Sequence, residues 1–88
     1  MNKVKVMKFS AIWCGPCRAM KPIWDEVVNG NKNADIEYVA VDIDEDDVTT
    51  MKHQIRSVPT TIFFKNGEEV ERKSGVVRDL KETVERYL

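Results

Sequence analysis

Two strand-like runs flank one amphipathic helix, and this is the pattern that most restricts the fold. Residues 3–9 (Lys3, Val4, Lys5, Val6, Met7, Lys8, Phe9) carry β-branched side chains in partial alternation, as a strand does. Pro16 suits the first turn of a helix, where a missing N–H costs nothing. Met20, Ile23, Trp24 and Val27 then recur at helical spacing and make one apolar stripe. Pro22 lies inside that stripe and is expected to kink it. Asn29, Gly30, Asn31 and Asn33 supply the stop. Ile36 to Ile43 follows as a second strand. Its almost continuous apolar run, Tyr38 to Val41, suits a strand covered on both faces. A strand–helix–strand unit implies a parallel pair with a right-handed crossover.

The rest of the chain completes a small α/β domain. Asp44 or Asp46 is placed to cap a short helix over about 46–54. Thr60 to Lys65 reads as a third strand. Asn66-Gly67 is a strong two-residue hairpin signal leading to a fourth, Glu68 to Ser74. Gly75 ends that strand. Val77 to Leu88 has an apolar face of Val77, Leu80, Val84 and Tyr87/Leu88, and is expected to be helical. The order β-α-β-α-β-β-α predicts a mixed four-stranded sheet with helices on both faces. At 88 residues the chain is expected to form a single domain over 1–88.

Composition excludes several classes of function. Fourteen basic against fifteen acidic residues leave a net charge of −1, so no nucleic-acid or anionic-membrane footprint is expected. No apolar run is long enough to span a bilayer. Residues 1–9 lack the apolar core of a signal peptide, which predicts a cytoplasmic protein. The acidic cluster Asp42, Asp44, Glu45, Asp46, Asp47 lacks an EF-hand pattern and reads as helix capping. His53 reads as a surface or capping residue.

The chemistry rests on Cys14 and Cys17. A disulfide between them closes a tiny loop and does little for folding, so a chemical use is the better reading. One histidine and no second cysteine pair argue against structural zinc. Cys14 falls between a strand and the helix begun by Pro16. Unpaired N–H groups and the positive helix end there favour a thiolate. Cys14 is therefore expected to be the exposed nucleophile. Cys17, one turn in and more buried, is expected to resolve the mixed disulfide. Gly15 and Pro16 set the approach of the sulfurs, and Trp13 is expected to be an exposed aromatic platform.

Trp13-Cys14-Gly15-Pro16-Cys17 resembles the active-site pentapeptide of the thioredoxin family. Pro22 resembles that family's helix-kinking proline, Val58-Pro59-Thr60 its cis-proline loop, and Phe64-Lys65-Asn66-Gly67-Glu68 its terminal hairpin, with Gly75 after it. The resemblance implies a thioredoxin-like fold and reduction of protein disulfides. It implies a groove of Trp13, Val58, Pro59 and the backbone at Gly75, with Pro59 cis. It implies disulfide-containing substrate proteins and a thioredoxin reductase or similar electron donor as partners. No cofactor beyond the dithiol, no metal and a monomeric state are expected.

The chain also departs from the family. Thioredoxins begin with an extra strand and helix, and this chain resembles them only from the next strand on. They carry a buried acid where Lys8 stands here, and a partner lysine where Ala40 stands. Lys8 is therefore expected either near Cys17 or on a solvent-facing edge. Two other readings remain open. One is a glutathione-linked glutaredoxin-like enzyme, although that family usually has Tyr where Gly15-Pro16 stands. The other is a non-enzymatic binding subunit, which has no need of Cys17.

Overall fold

The computed structural model describes residues 3–88. The elements are β1 (Val4–Ser10), α1 (Gly15–Gly30), β2 (Ile36–Asp42), α2 (Asp47–Lys52), β3 (Thr60–Lys65), β4 (Glu68–Ser74) and α3 (Leu80–Tyr87). They form one four-stranded sheet in the order β2-β1-β3-β4. β1 pairs with β2 in parallel and with β3 antiparallel, and β3 pairs antiparallel with β4.

Alternation along β1 divides the core in two, because successive side chains leave a strand on opposite faces. Val4 and Val6 join Met20, Trp24 and Val27 of α1, Phe63 of β3, and Leu80 and Val84 of α3. Met7 and Phe9 point the other way and meet Val41 and Ile62. On that second face the His53 ring, at the C-terminus of α2, packs against Phe9 and Phe64 at centroid distances of 5.7 and 5.6 Å. Helices thus cover both faces, as the pattern predicts. His53 is the C-cap residue of α2, as the capping reading expects, and its half-buried ring also packs between two phenylalanines.

β2 departs from expectation. It lies at the sheet edge, and Tyr38 to Ala40 are only half-buried or exposed. Its apolar run does feed both layers, Ile36 and Tyr38 on one face and Val39 and Val41 on the other, but with a single neighbouring strand its middle stays half-buried. The opposite edge, β4, carries Glu68, Glu69, Glu71, Arg72 and Lys73, a charge pattern that discourages edge-to-edge pairing.

Two helix boundaries also differ. α1 runs through Pro22 and takes in Asn29 and Gly30 before ending at Asn31, whose N–H donates to the Val27 carbonyl at 2.9 Å. α3 begins at Leu80 and not at Val77. Val77 is buried, but its N–H donates to Met20 Sδ at 3.3 Å in a non-helical segment. Asp79 precedes α3 without capping it, because Lys73 Nζ holds both its carboxylate oxygens at 3.1 Å. An eight-residue helix is marginal alone, so α3 depends on burying Leu80, Thr83 and Val84. α2 buries no side chain. Its hold is the Asp46 cap, which accepts from Thr49 N–H at 3.0 Å and Thr49 Oγ1 at 2.7 Å.

Asn66 and Gly67 both have positive φ, 52° and 86°. That is the backbone of a two-residue primed turn, which Asn-Gly adopts readily.

Candidate functional site

The site forms where β1 ends. Pro16 fixes the entry of α1, and Cys14 is its N-cap residue with extended backbone angles (φ −92°, ψ 114°). The Cys17 N–H donates to Cys14 Sγ at 3.2 Å. An unpaired donor of the helix N-terminus is thereby spent on sulfur, which favours negative charge on that atom. Cys14 and Cys17 form a disulfide with Cα atoms 5.2 Å apart. The pair is in its oxidised state.

Cys14 is less accessible than expected. Both cysteines are only 5% exposed, in a small cluster with Ala11, Ile43 and Val58. Cys17 N–H and the apolar neighbours Ala11, Ile43 and Val58 close around the Cys14 side chain at the helix end. The sulfur lies 3.5 Å from the Val58 carbonyl oxygen.

Three further segments make a groove beside the sulfurs. The Val58–Pro59 peptide bond is cis, as the family resemblance implies. Gly75 N–H donates to the Pro59 carbonyl at 2.8 Å, which ties the end of β4 to the proline loop. Gly75 does so at φ +86°, a region glycine enters without steric cost. Trp13 is 63% exposed, matching the expected platform, and its indole N–H donates to Asp44 Oδ2 at 2.8 Å. Trp13, Ile43, Ile55, Arg56, Ser57 and Val58 line a cavity of about 330 Å³. A larger one, about 620 Å³, opens between Lys5, Glu37 and Phe64 and holds no sulfur.

Lys8 faces α1 and not solvent. It pairs in register with Ala40 on one side and Thr61 on the other. It is 7% exposed. Its Nζ lies over the Trp24 ring at 5.2 Å. Lys8, Ser10, Cys17, Arg18, Lys21 and Asp42 share a cavity of about 300 Å³. Burial pushes the Lys8 ammonium below the usual lysine range, Asp25 opposes this, and Lys21 reinforces it.

The structure therefore brings Trp13, Cys14, Gly15, Pro16, Cys17, Val58, Pro59 and Gly75 together, and sets Lys8 behind Cys17. Sequence reasoning missed Asp44 as the anchor of Trp13, and Ile43, Ile55 and Arg56 as groove wall. Asp44 sat in an acidic run that read as capping, and only the fold reveals its partner 31 positions away.

A cysteine pair at a helix N-terminus, beside a cis-proline loop and an exposed tryptophan, defines a dithiol–disulfide exchange centre on an α/β sheet. The family model described as Thioredoxin matches residues 1–86. The chain is 40% identical over 83 residues to the thioredoxin of Mycoplasmoides gallisepticum, covering 92% of this chain and 81% of that protein. It is 42% identical over 85 residues to thioredoxin H5 of Oryza sativa subsp. japonica, covering 96% of this chain and 62% of that one. Its structure superposes on that of Fasciola hepatica thioredoxin with a TM-score of 0.88 at 33% identity, covering 99% and 83% of the two chains. The chain belongs to the thioredoxin family. It is a protein thiol–disulfide oxidoreductase.

Proposed function

We propose that the protein reduces disulfides of other proteins, with Cys14 as nucleophile and Cys17 as resolving thiol. The Cys14 thiolate attacks one sulfur of the substrate disulfide. A mixed disulfide forms and one substrate thiolate leaves. The Cys17 thiolate then attacks Cys14 Sγ, the second substrate thiolate leaves, and the Cys14–Cys17 disulfide remains. Two electrons pass to the substrate. The observation that carries this order is Cys14 Sγ at the helix cap, accepting from Cys17 N–H.

The substrate segment lies extended along Val58 and Pro59, and packs on Trp13. Pro16 holds the helix entry and Gly15 gives the approaching chain room, since nothing lies within 4 Å of its missing Cβ. A thioredoxin reductase or similar donor returns the pair to the dithiol. Such a cycle belongs in a reducing compartment, and we place it in the cytoplasm, working as a monomer. No helix among the described residues is long and apolar enough to cross a membrane.

The test is Cys17→Ser. It should stop turnover and accumulate protein–substrate mixed disulfides on Cys14, visible by non-reducing electrophoresis and mass spectrometry. Trapping by Cys14→Ser instead reverses the two roles. Turnover sustained by glutathione alone, with no thioredoxin reductase, overturns the choice of electron donor.

A further inference from the structure

Lys8 is the single buried side chain with a formal charge among the described residues, and it has no ion-pair partner. Burying an ammonium is costly unless an anion compensates it. Two carboxylates lie near Lys8, Asp25 and Asp42, and neither forms an ion pair with it. On α1, Asp25 is bonded to Lys21 at 2.7 Å. Arg18 and Lys21 add positive charge to the shared cavity, and Asp42, across it, accepts from the Asp44 N–H at 2.8 Å. β2 presents Ala40, and β3 presents Thr61, whose buried Oγ1 also lacks a partner. Lys73, beside Thr61 in the register, is occupied by Asp79 and Glu71. The Trp24 ring face gives partial compensation only.

The oxidised pair offers no anion, because a disulfide carries no charge. Reduction creates one. We propose that the counter-ion of Lys8 is the thiolate of Cys17, an ion pair that exists only in the reduced protein. Cys17 lines the same cavity as Lys8, on the face of α1 that also carries Met20 and Trp24.

The electron and proton balance follows. A dithiol donor delivers two electrons to the Cys14–Cys17 bond and becomes a disulfide. Two sulfurs then await two protons. With Lys8 protonated, Cys17 stays a thiolate and its proton goes to solvent. Lys8 therefore lowers the Cys17 thiol pKa and stabilises the dithiol state, which makes the couple a stronger oxidant. By reciprocity, reduction raises the affinity of Lys8 for its own proton. Lys8 is a positioning residue: it acts through Cys17 and touches no substrate. The proposal rests on the redox activity of the pair and does not depend on which cysteine attacks first.

Two measurements test it. The first uses Cys14→Ser, so that Cys17 titrates alone, with thiolate read by absorbance near 240 nm. An opposite charge within about 4–6 Å moves a pKa by about 1–3 units. Adding Lys8→Met should cut the Cys17 thiolate fraction, at a pH below its pKa, by about tenfold or more. Lys8→Arg should restore it. The second is the equilibrium of the full protein against a glutathione buffer. Lys8→Met should favour the disulfide by up to about tenfold near pH 9, a shift of about 30 mV. That difference should shrink as pH falls and vanish once the thiols of both proteins are protonated. A structural effect of the substitution has no reason to follow thiol ionisation. An unchanged Cys17 titration, or a redox difference independent of pH, overturns the proposal. Failure of mixed-disulfide trapping by Cys17→Ser overturns the assigned attack order and leaves the Cys17 titration standing.

Discussion

Gly75 and Gly30 offer the same chemical change with opposite expected signs. Adding a Cβ at either position meets no heavy atom within 4 Å, so sterics with neighbours cancel from the comparison. What differs is the backbone. Gly75 sits at φ +86°, where an L side chain costs about 1–2 kcal/mol. Gly30 is the last residue of α1 and has no positive φ. There alanine restricts the unfolded chain and stabilises by about 0.4–1 kcal/mol. For a chain of this length each kcal/mol moves Tm by about 5 °C. Gly75→Ala should thus lower Tm by about 5–10 °C, and Gly30→Ala should raise it by about 2–5 °C. The assay is thermal unfolding followed by circular dichroism, on oxidised protein at one pH. Gly75→Ala should also weaken the tie between Gly75 N–H and Pro59, seen as faster exchange of that amide. If Gly75→Ala is neutral or stabilising, positive φ is not what the position requires, and the account of the β4 terminus fails.

Other expected outcomes concern single groups. Thr61 Oγ1 is buried without a partner, so Thr61→Val should stabilise by about 1 kcal/mol, read as a higher urea midpoint; a loss would mean the hydroxyl is satisfied. His53 is held below its usual pKa chiefly by burial, and further by Lys52, Lys5 and Arg72. A base with a depressed folded pKa loses stability as pH falls below its unfolded value, since only the unfolded chain takes the proton. The urea midpoint should therefore fall from pH 7.5 towards 5, around and below the ordinary histidine value of 6.5, and His53→Phe should flatten the profile; a flat wild-type profile contradicts this. Asp46, Glu69 and Asp79 have depressed carboxyl pKa values, so their losses fall at more acidic pH. Asp44→Ala frees the Trp13 indole and should raise KM for a disulfide protein roughly two- to tenfold with kcat unchanged, the scale of one net hydrogen bond; a change confined to kcat would show that Asp44 acts on the chemistry instead.

Local signals were legible where the chain reads its own neighbours. Pro16, the Cys14–Cys17 spacing and Asn66-Gly67 act within a few residues, and each produced the expected element. Long-range contacts were not legible. Val77 reads as the start of an amphipathic helix because its spacing to Leu80 and Val84 is right. The segment before Leu80 is instead engaged by distant partners, Val77 N–H by Met20 Sδ and the Asp79 carboxylate by Lys73. Likewise the apolar run of β2 does not reveal that the strand lies at an edge, because that depends on what pairs beside it. The face taken by Lys8 turned on strand register, and one residue of slip would reverse it. The cis state of Val58–Pro59 came from family resemblance alone.

The separation of fold from chemistry explains how one small domain works in two redox states. The disulfide joins positions three apart, so in the chain-entropy model it contributes only roughly 2 kcal/mol. The main core, built from Val4, Val6, Met20, Trp24, Phe63, Leu80 and Val84, contains neither cysteine. Cys14 and Cys17 sit in a satellite cluster with Ala11. Opening the bond removes little of the packing that holds the sheet between its helices. A disulfide that stapled distant elements would stabilise more, but each turnover would then loosen the molecule that carries it. Keeping the sulfurs on one helix turn leaves their exchange governed by local fields, the helix end at Cys14 and the unpaired cation behind Cys17.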